Sequence, residues 1–381
     1  MKKTSLLHGL FGAAVALAVG LAQAAIPVPA PPTVNARAFA LMDFNTGAIL
    51  AEGNSRERME PASITKLMSA YVVFSELKSG KVTLDDEVFI SKRAWQTEGS
   101  RTFADVNTHI RLEDLLKGMI VQSGNDATVA LAEHVAGSEE AFASLMNSYA
   151  GTLKMSGSHF MNSTGLPNPD HYTTAYDIAL LAQAIIRQFP EYYRYYSIKE
   201  FSHNGIVQQN RNRLLWRDPT VDGMKTGYTE SAGYCLVTSS LRDSMRLISV
   251  VLGTKTEDAR IVESQKLLGY GFRFYETKLL YAASTPIAHT RVWQGDIQDL
   301  PLGVEKDLYI TVPRNTADKI AAATNLNSTV VAPIRKGDQL GNIEIKLEGA
   351  DLTTRPLVAM EDVPEGGITR RVADRVMMFF Q

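Results

Sequence analysis

Ser63-Ile64-Thr65-Lys66, with Pro61 just ahead and Leu67, Tyr71 and Phe74 following at helical spacing, is the stretch on which the reading of this chain turns. Residues three apart share one face of a helix, so Lys66 is expected beside the Ser63 hydroxyl. Pro61 and the apolar period place Ser63 at the N-terminal end. There, free backbone N–H groups and the positive helix end favour a developing anion. A serine hydroxyl is a weak nucleophile until a base takes its proton, and a lysine is a base only when neutral. Burial and a second cation both push a lysine that way, and Lys225 is the expected second cation.

Two more short motifs follow in order. Ser123-Gly124-Asn125 falls between an apolar-periodic run (Leu112, Leu115, Leu116, Met119, Ile120) and a second helical run through Val129 and His134 that closes at Gly137. A loop held between two helices can present Ser123 to relay a proton and Asn125 to bond Lys66 or a substrate amide. Lys225-Thr226-Gly227 precedes the strand pattern Gly233 to Ser239 and a second strand, Arg246 to Leu252. A strand edge beside the nucleophile lets an extended peptide add as one more strand, with Gly227 avoiding a side-chain clash. The backbone N–H groups of Ser63 and Tyr228 then become candidate oxyanion donors, and Thr226 with one arginine would hold a terminal carboxylate.

Single motifs of this length arise by chance. Ser75-Glu76-Leu77-Lys78, Ser202-His203-Asn204 and Lys78-Ser79-Gly80 fit the same three patterns. They fail on context: Ser75 lies at the far end of its helix, and Lys78 would have to serve two motifs.

Together with Asn210-Arg211-Asn212, Leu214-Leu215-Trp216, Val221-Asp222-Gly223-Met224, the run Leu267 to Tyr275 and Pro364-Glu365-Gly366, the three motifs resemble one family along nearly the whole chain. It is that of the low-molecular-mass penicillin-binding proteins, the D-alanyl-D-alanine carboxypeptidases of the penicillin-binding protein 5 type. The resemblance implies acylation of Ser63 with Lys66 as base, and a relay completed by Ser123 and Asn125. It also implies substrate contacts from Lys225 and Thr226, a carboxylate partner in Arg260 and a second cleft arginine in Arg211. The implied reaction removes the terminal D-alanine from peptidoglycan pentapeptide stems, β-lactams acylate the same serine, and no cofactor or metal is needed. Two positions depart from common patterns. Tyr228 stands where many relatives carry histidine, and Gly124 where related β-lactamases often carry aspartate.

Rival readings remain at this level. A serine β-lactamase must hydrolyse its acyl-enzyme fast, for which class A enzymes use a glutamate that positions water. Between Glu140 and Glu191 this chain has no glutamate, and only Asp170 offers a carboxylate near Pro169. The sequence leaves open a DD-endopeptidase acting on cross-links as well. A catalytically idle peptidoglycan-binding scaffold is the third rival, opposed by the intact residue set.

The 381 residues suffice for two or three domains, and 45% hydrophobic with 21% charged residues is ordinary for a globular chain. The net charge of −2 excludes the basic footprint of nucleic-acid binding. Lys2-Lys3, an apolar run from Leu10 to Leu21 and Ala22-Gln23-Ala24 read as a signal peptide over 1–24. Its loss removes two lysines and takes the charge to −4. Export to the periplasmic face of the inner membrane follows as the expectation. The lone Cys235 cannot form an intramolecular disulfide. Pro27 to Pro32 reads as a spacer within 25–35.

A hairpin, Ala38 to Asp43 and Ala48 to Glu52 turned at Asn45-Thr46-Gly47, opens the catalytic domain assigned to 36–275. Helices are expected over Thr174 to Gln188 and Glu257 to Leu268. Helices flanked by early and late strands suggest an α+β domain with an antiparallel sheet, and the resemblance specifies the β-lactamase/transpeptidase-like fold. Residues 276–365 read as a small β-sandwich, with strands at Leu308 to Val312, Thr329 to Ala332, Ile343 to Leu347 and Leu357 to Met360, and one helical period at Ala317 to Thr324.

In 366–381, Ile368, Val372, Val376, Phe379 and Phe380 share one helical face, with Arg370, Arg371, Asp374 and Arg375 on the other. Sixteen residues are too few to span a bilayer, which takes about 20. The pattern fits an amphipathic anchor on anionic lipid, or else a stripe docked on the protein's own sandwich. The seven histidines form no metal-ligand spacing, and His109, His159, His171 and His203 read as surface or loop residues. Tyr192, Tyr193, Tyr195 and Tyr196 read as packing residues, with substrate stacking as the alternative.

Overall fold

In the computed structural model the described residues are 28–283 and 285–380; the expected leader lies outside them. A five-stranded antiparallel sheet runs Ile49–Gly53, Ala38–Asp43, Met245–Thr254, Gly233–Arg242, Val221–Thr229 in spatial order. The strand carrying Lys225-Thr226-Gly227 is therefore at the sheet's edge. Both faces of the sheet are covered, so its strands read as near-continuous apolar runs whose alternate residues enter different cores. Ala38, Ala40 and Met42, with Ile248, Val250 and Leu252, face one core; Leu41, Leu247 and Val251 face the other.

The first core surrounds the helix Lys66–Lys78, which is buried almost all round from Leu67 to Phe74. Helices Asn125–Ala136 and Ala175–Gln188 pack there too. Thr174 caps the latter, its Oγ1 accepting from Asp177 N at 3.0 Å. The second core is covered by Glu257–Phe274, longer than the sequence suggested because Gly269 to Phe274 continues as helix. Each fully buried leucine, isoleucine or valine here stabilises by about 1.5–3 kcal/mol relative to exposure.

A second, β-rich unit follows. Six strands are ordered Ile320–Leu326, Gln339–Leu347, Ala350–Ala359, Asp299–Gly303, Ala288–Trp293, Val330–Val331, beside a pair formed by Tyr275–Tyr281 and Leu308–Pro313. The helical period expected over Ala317 to Thr324 is a correction: only Ala317–Lys319 turns, and Ile320–Leu326 is a strand paired with Gln339–Leu347.

The chain ends in a helix, Ile368–Phe379, whose orientation is opposite to that of a packed amphipathic helix. Its polar side docks: Asp374 is buried and accepts from Gln294 N at 2.6 Å, while Arg370 Nη1 donates to Asp296 O at 2.6 Å. The apolar stripe faces solvent, with Ile368 73% and Phe379 86% exposed. The stripe therefore does not dock on the β-rich unit.

Candidate active site

Ser63 sits in a 3-10 turn, Ala62–Thr65, that runs directly into the helix Lys66–Lys78. The helix thus begins at the lysine rather than at the serine. Ala62 is held at φ +47, a left-handed conformation unusual for alanine. This turns the chain so that Ser63 and Lys66 meet: Lys66 Nζ lies 3.1 Å from Ser63 Oγ. The same nitrogen donates to Asn125 Oδ1 at 2.7 Å and to Thr164 O at 2.8 Å. Both of the latter are acceptors only, so when Lys66 is neutral its two N–H bonds satisfy them and its lone pair is left facing the serine hydroxyl. The Asn125 amide is oriented by its own Nδ2, which donates to Glu98 O.

Burial lowers the Lys66 pKa to about 7, with the Arg211 guanidinium adding to the shift and Asp126 and Glu139 opposing it. Arg211 is thus a cation that the sequence reading did not set against Lys66, beside the expected Lys225, whose own shift reflects, after burial, its repulsion with Lys66. Lys225 is itself pushed well below its ordinary value, by burial first and then by Lys66, Arg211 and Arg260. Its only hydrogen-bond acceptor among the described residues is Thr226 O at 3.1 Å. With so little to compensate its charge, burial favours its neutral form.

Ser123 ends a wide helical turn, Gly118–Gln122, in the left-handed conformation (φ 68). Such wide turns and strained residues gather at functional sites. Its buried Oγ has no hydrogen-bond partner among the described residues and lines the same cavity as Ser63. Buried Asp126, next but two along, accepts from Thr102 N at 2.8 Å and Ala104 N at 3.1 Å, pinning the segment that carries Ser100 over the cleft.

Gly227 permits the edge strand to approach the nucleophile turn. A Cβ there would lie 3.1 Å from Ile64 N and from Pro61 O. Arg260, buried on the helix Glu257–Phe274, donates to Gly227 O at 3.3 Å and to Glu257 Oε1 at 2.8 Å, while its Nε has no partner among the described residues. Arg211 Nε donates to Gln122 O at 3.0 Å at the rim. The resulting cavity, about 170 Å³, is lined by Ser63, Ser100, Ser123, Arg211, Thr226, Gly227, Tyr228, Tyr234, Glu257 and Arg260. Every site residue read from the sequence lines it, except Lys66, Asn125 and Lys225, which are buried, with Lys66 and Asn125 bonded directly to its members or to each other.

Sequence reasoning missed Ser100, Tyr234, Glu257 and the Thr164 carbonyl. His171 lies in a loop, as one of the two readings had it, but is buried and bonded through Nε2 to Thr65 Oγ1 at 2.9 Å. Met161 N donates to His171 Nδ1, so Nε2 carries the proton; burial lowers this imidazole's pKa to about 4. His171 is thus a neutral brace beneath the nucleophile turn. Asp170 is exposed and lines no part of the cavity. The tyrosine cluster packs: Tyr193 donates to Asp222 at 2.6 Å and Tyr195 to Glu113 at 3.0 Å. Of the decoys, Ser75 bonds Tyr71 O and Lys78 bonds Gln188 O, away from the cleft.

A serine beside a buried lysine of near-neutral pKa, under a sheet edge with arginines at its far end, defines the acyl-serine class of hydrolases. A family profile described as D-alanyl-D-alanine carboxypeptidase matches residues 25–256, and one described as penicillin-binding protein 5, C-terminal domain, matches 275–365. The chain is 45% identical over 387 residues to D-alanyl-D-alanine carboxypeptidase DacC of Escherichia coli (strain K12), covering 99% of this chain and 97% of that one. Crystal structures of penicillin-binding protein 5 from Haemophilus influenzae match with a TM-score of 0.84 and 42% identity, over 88% of this chain and 100% of that one. Penicillin-binding protein D2 from Listeria monocytogenes in its ampicillin-bound form matches with a TM-score of 0.57 and 28% identity, over 64% of this chain and 100% of that one. The chain belongs to the D-alanyl-D-alanine carboxypeptidase family and is a serine-type enzyme of that family.

Proposed function

We propose that Ser63 is the nucleophile of a DD-carboxypeptidase that acts on peptidoglycan pentapeptide stems. Neutral Lys66 takes the Ser63 proton as Oγ attacks the penultimate D-alanine carbonyl. The developing oxyanion is met by the backbone N–H groups of Ser63 and Tyr228. Ser123 passes the proton to the leaving amine, Asn125 holds Lys66 in place, and Lys225 adds positive field whenever it is protonated. Thr226, Arg260 and Arg211 receive the terminal carboxylate. Water then hydrolyses the ester. The observation that carries this reading is the 3.1 Å contact between Ser63 Oγ and a buried amine whose pKa is near 7.

The testing assay is D-alanine release from diacetyl-L-lysyl-D-alanyl-D-alanine by the full chain, with a fluorescent penicillin as competitor. Release is expected, blocked stoichiometrically by the penicillin, and a chromogenic cephalosporin should be opened once and then released slowly. Rapid multiple turnover of the cephalosporin would instead favour the β-lactamase reading.

We also assign residues 36–275 to catalysis, 276–365 to a spacer or platform, and 366–381 to a peripheral anchor on the periplasmic face of the inner membrane. The leader over 1–24 accounts for export. Support for the anchor is the solvent-facing apolar stripe with Arg375 exposed beside it. Among the described residues no helix is long and apolar enough to cross a membrane. Deleting Gly367–Gln381 should move the protein from the pelleted to the supernatant fraction with vesicles containing anionic lipid. Unchanged partition would refute the anchor.

A further inference from the structure

A second cavity, about 570 Å³, adjoins the first and shares only Arg211 and Glu257 with it. Neither Ser63, Ser123 nor Thr226 lines it, so it opens at the arginine end of the cleft. If the terminal carboxylate is held by Arg211, Arg260 and Thr226 as proposed above, this space lies beyond the leaving residue, on the side away from the acyl group. D-Alanine, with a single methyl, does not reach into it.

Its lining has a definite chemistry. Arg211, Arg213 and Arg217 line it together with one carboxylate, Glu257, which is already bonded to Arg260. Gln122, Gln209 and Asn210 supply amides, and half-exposed Trp216 supplies a flat apolar wall. Arg213 lies 3.9 Å from Glu257, and Arg217 3.1 Å from Asp258, so the two helix-start carboxylates hold these guanidiniums at the rim rather than letting them sweep through solvent. The three guanidiniums leave the cavity net positive, and planar donor forks suit carboxylates.

We propose that this cavity is a leaving-group subsite for D-amino acids whose side chain extends several atoms and bears a carboxylate. The proposal rests on the Ser63 reading and extends it to leaving groups larger than D-alanine. The chemistry is unchanged: the Ser63 Oγ–carbon bond forms, the carbon–nitrogen bond breaks, the leaving nitrogen takes the proton from Ser63, and water cleaves the ester. Arg213 and Arg217 act in it as specificity-determining residues.

The test compares diacetyl-L-lysyl-D-alanyl peptides ending in D-alanine, in D-2-aminoadipate, and in the neutral side-chain amide of the latter. At low salt the acid should exceed its amide in kcat/KM by about fivefold, a size expected of partly exposed ion pairs. The ratio should fall towards one in 0.5 M salt, as it should in Arg213→Gln/Arg217→Gln. A ratio of one in the unaltered enzyme, or one indifferent to both salt and the substitutions, overturns the subsite. Because it is a ratio, it cancels any loss of active protein, and the salt series stands even if the variant fails to fold. Cleavage of the D-alanine parent without an acid preference rejects the subsite alone. Failure to cleave any of the three rejects the Ser63 reading with it.

Discussion

Lys66→Ala is expected to lower kcat/KM for D-alanine release by about 10³- to 10⁴-fold, the scale of a lost general base. Labelling by fluorescent penicillin should slow in parallel, because both substrates need the same deprotonated serine; Ser63→Ala should abolish labelling altogether. The unaltered enzyme carries a further signature. Below a pH of about 7 Lys66 holds its proton and has no lone pair to offer, so kcat/KM should fall about tenfold per unit as pH drops through that value. Arg211 contributes to the depressed pKa, so Arg211→Gln should move the inflection upward. Acylation of Lys66→Ala at an undiminished rate, or persistence of the inflection near 7 in that variant, would eliminate Lys66 as the base.

The reacting groups were legible because helix geometry makes a Ser-x-x-Lys spacing a statement about distance, and because two other motifs fell at a helix junction and just ahead of a strand pattern, although Lys225 proves to lie within a strand of its own, Val221–Thr229. Their supports were not. Thr164 meets Lys66 through a carbonyl that any residue would supply, and Glu257 reaches the cleft only because its helix packs across the sheet. His171 sits 106 residues from the turn it braces. Which cations bear on Lys66, Arg211 among them, depends on placement in space, information that is absent from a string of residue types. In the β-rich unit, alanines over 321–323 raised helix propensity, yet pairing with Gln339–Leu347 decided the outcome, as tertiary context overrides a weak local preference. The C-terminal stripe was plain in the sequence, but its direction came only from Asp374, whose carboxylate anchors the polar face inward.

Gly165→Val should slow acylation of Ser63 by about 100-fold, although position 165 carries no chemistry. Gly165 adopts φ +85, where a β-branched side chain is strained, at a cost of order 1–3 kcal/mol. The steric problem is worse: a Cβ would lie 1.8 Å from Ala62 O and 2.4 Å from Ala62 C. Those atoms are backbone, in the turn that aims Ser63, and cannot rotate aside. The neighbouring Thr164 carbonyl accepts from Lys66, so any retreat of the loop lengthens that bond while any retreat of the turn displaces the nucleophile. On the other side the loop is braced through Ser163, whose N and Oγ both donate to buried Glu139, at 3.0 and 2.6 Å. Squeezed between fixed partners, the Ser63–Lys66 contact should open, and a misplacement near 1 Å is enough to cost about 100-fold in acylation rate. The measurement is the second-order rate of penicillin labelling alongside a thermal melt. Gly165→Ala, which adds the same Cβ without branching, separates clash from bulk: the contact geometry requires that it too be slow. An alanine variant acylated at the unaltered rate would mean that the loop does not hold the nucleophile turn in place.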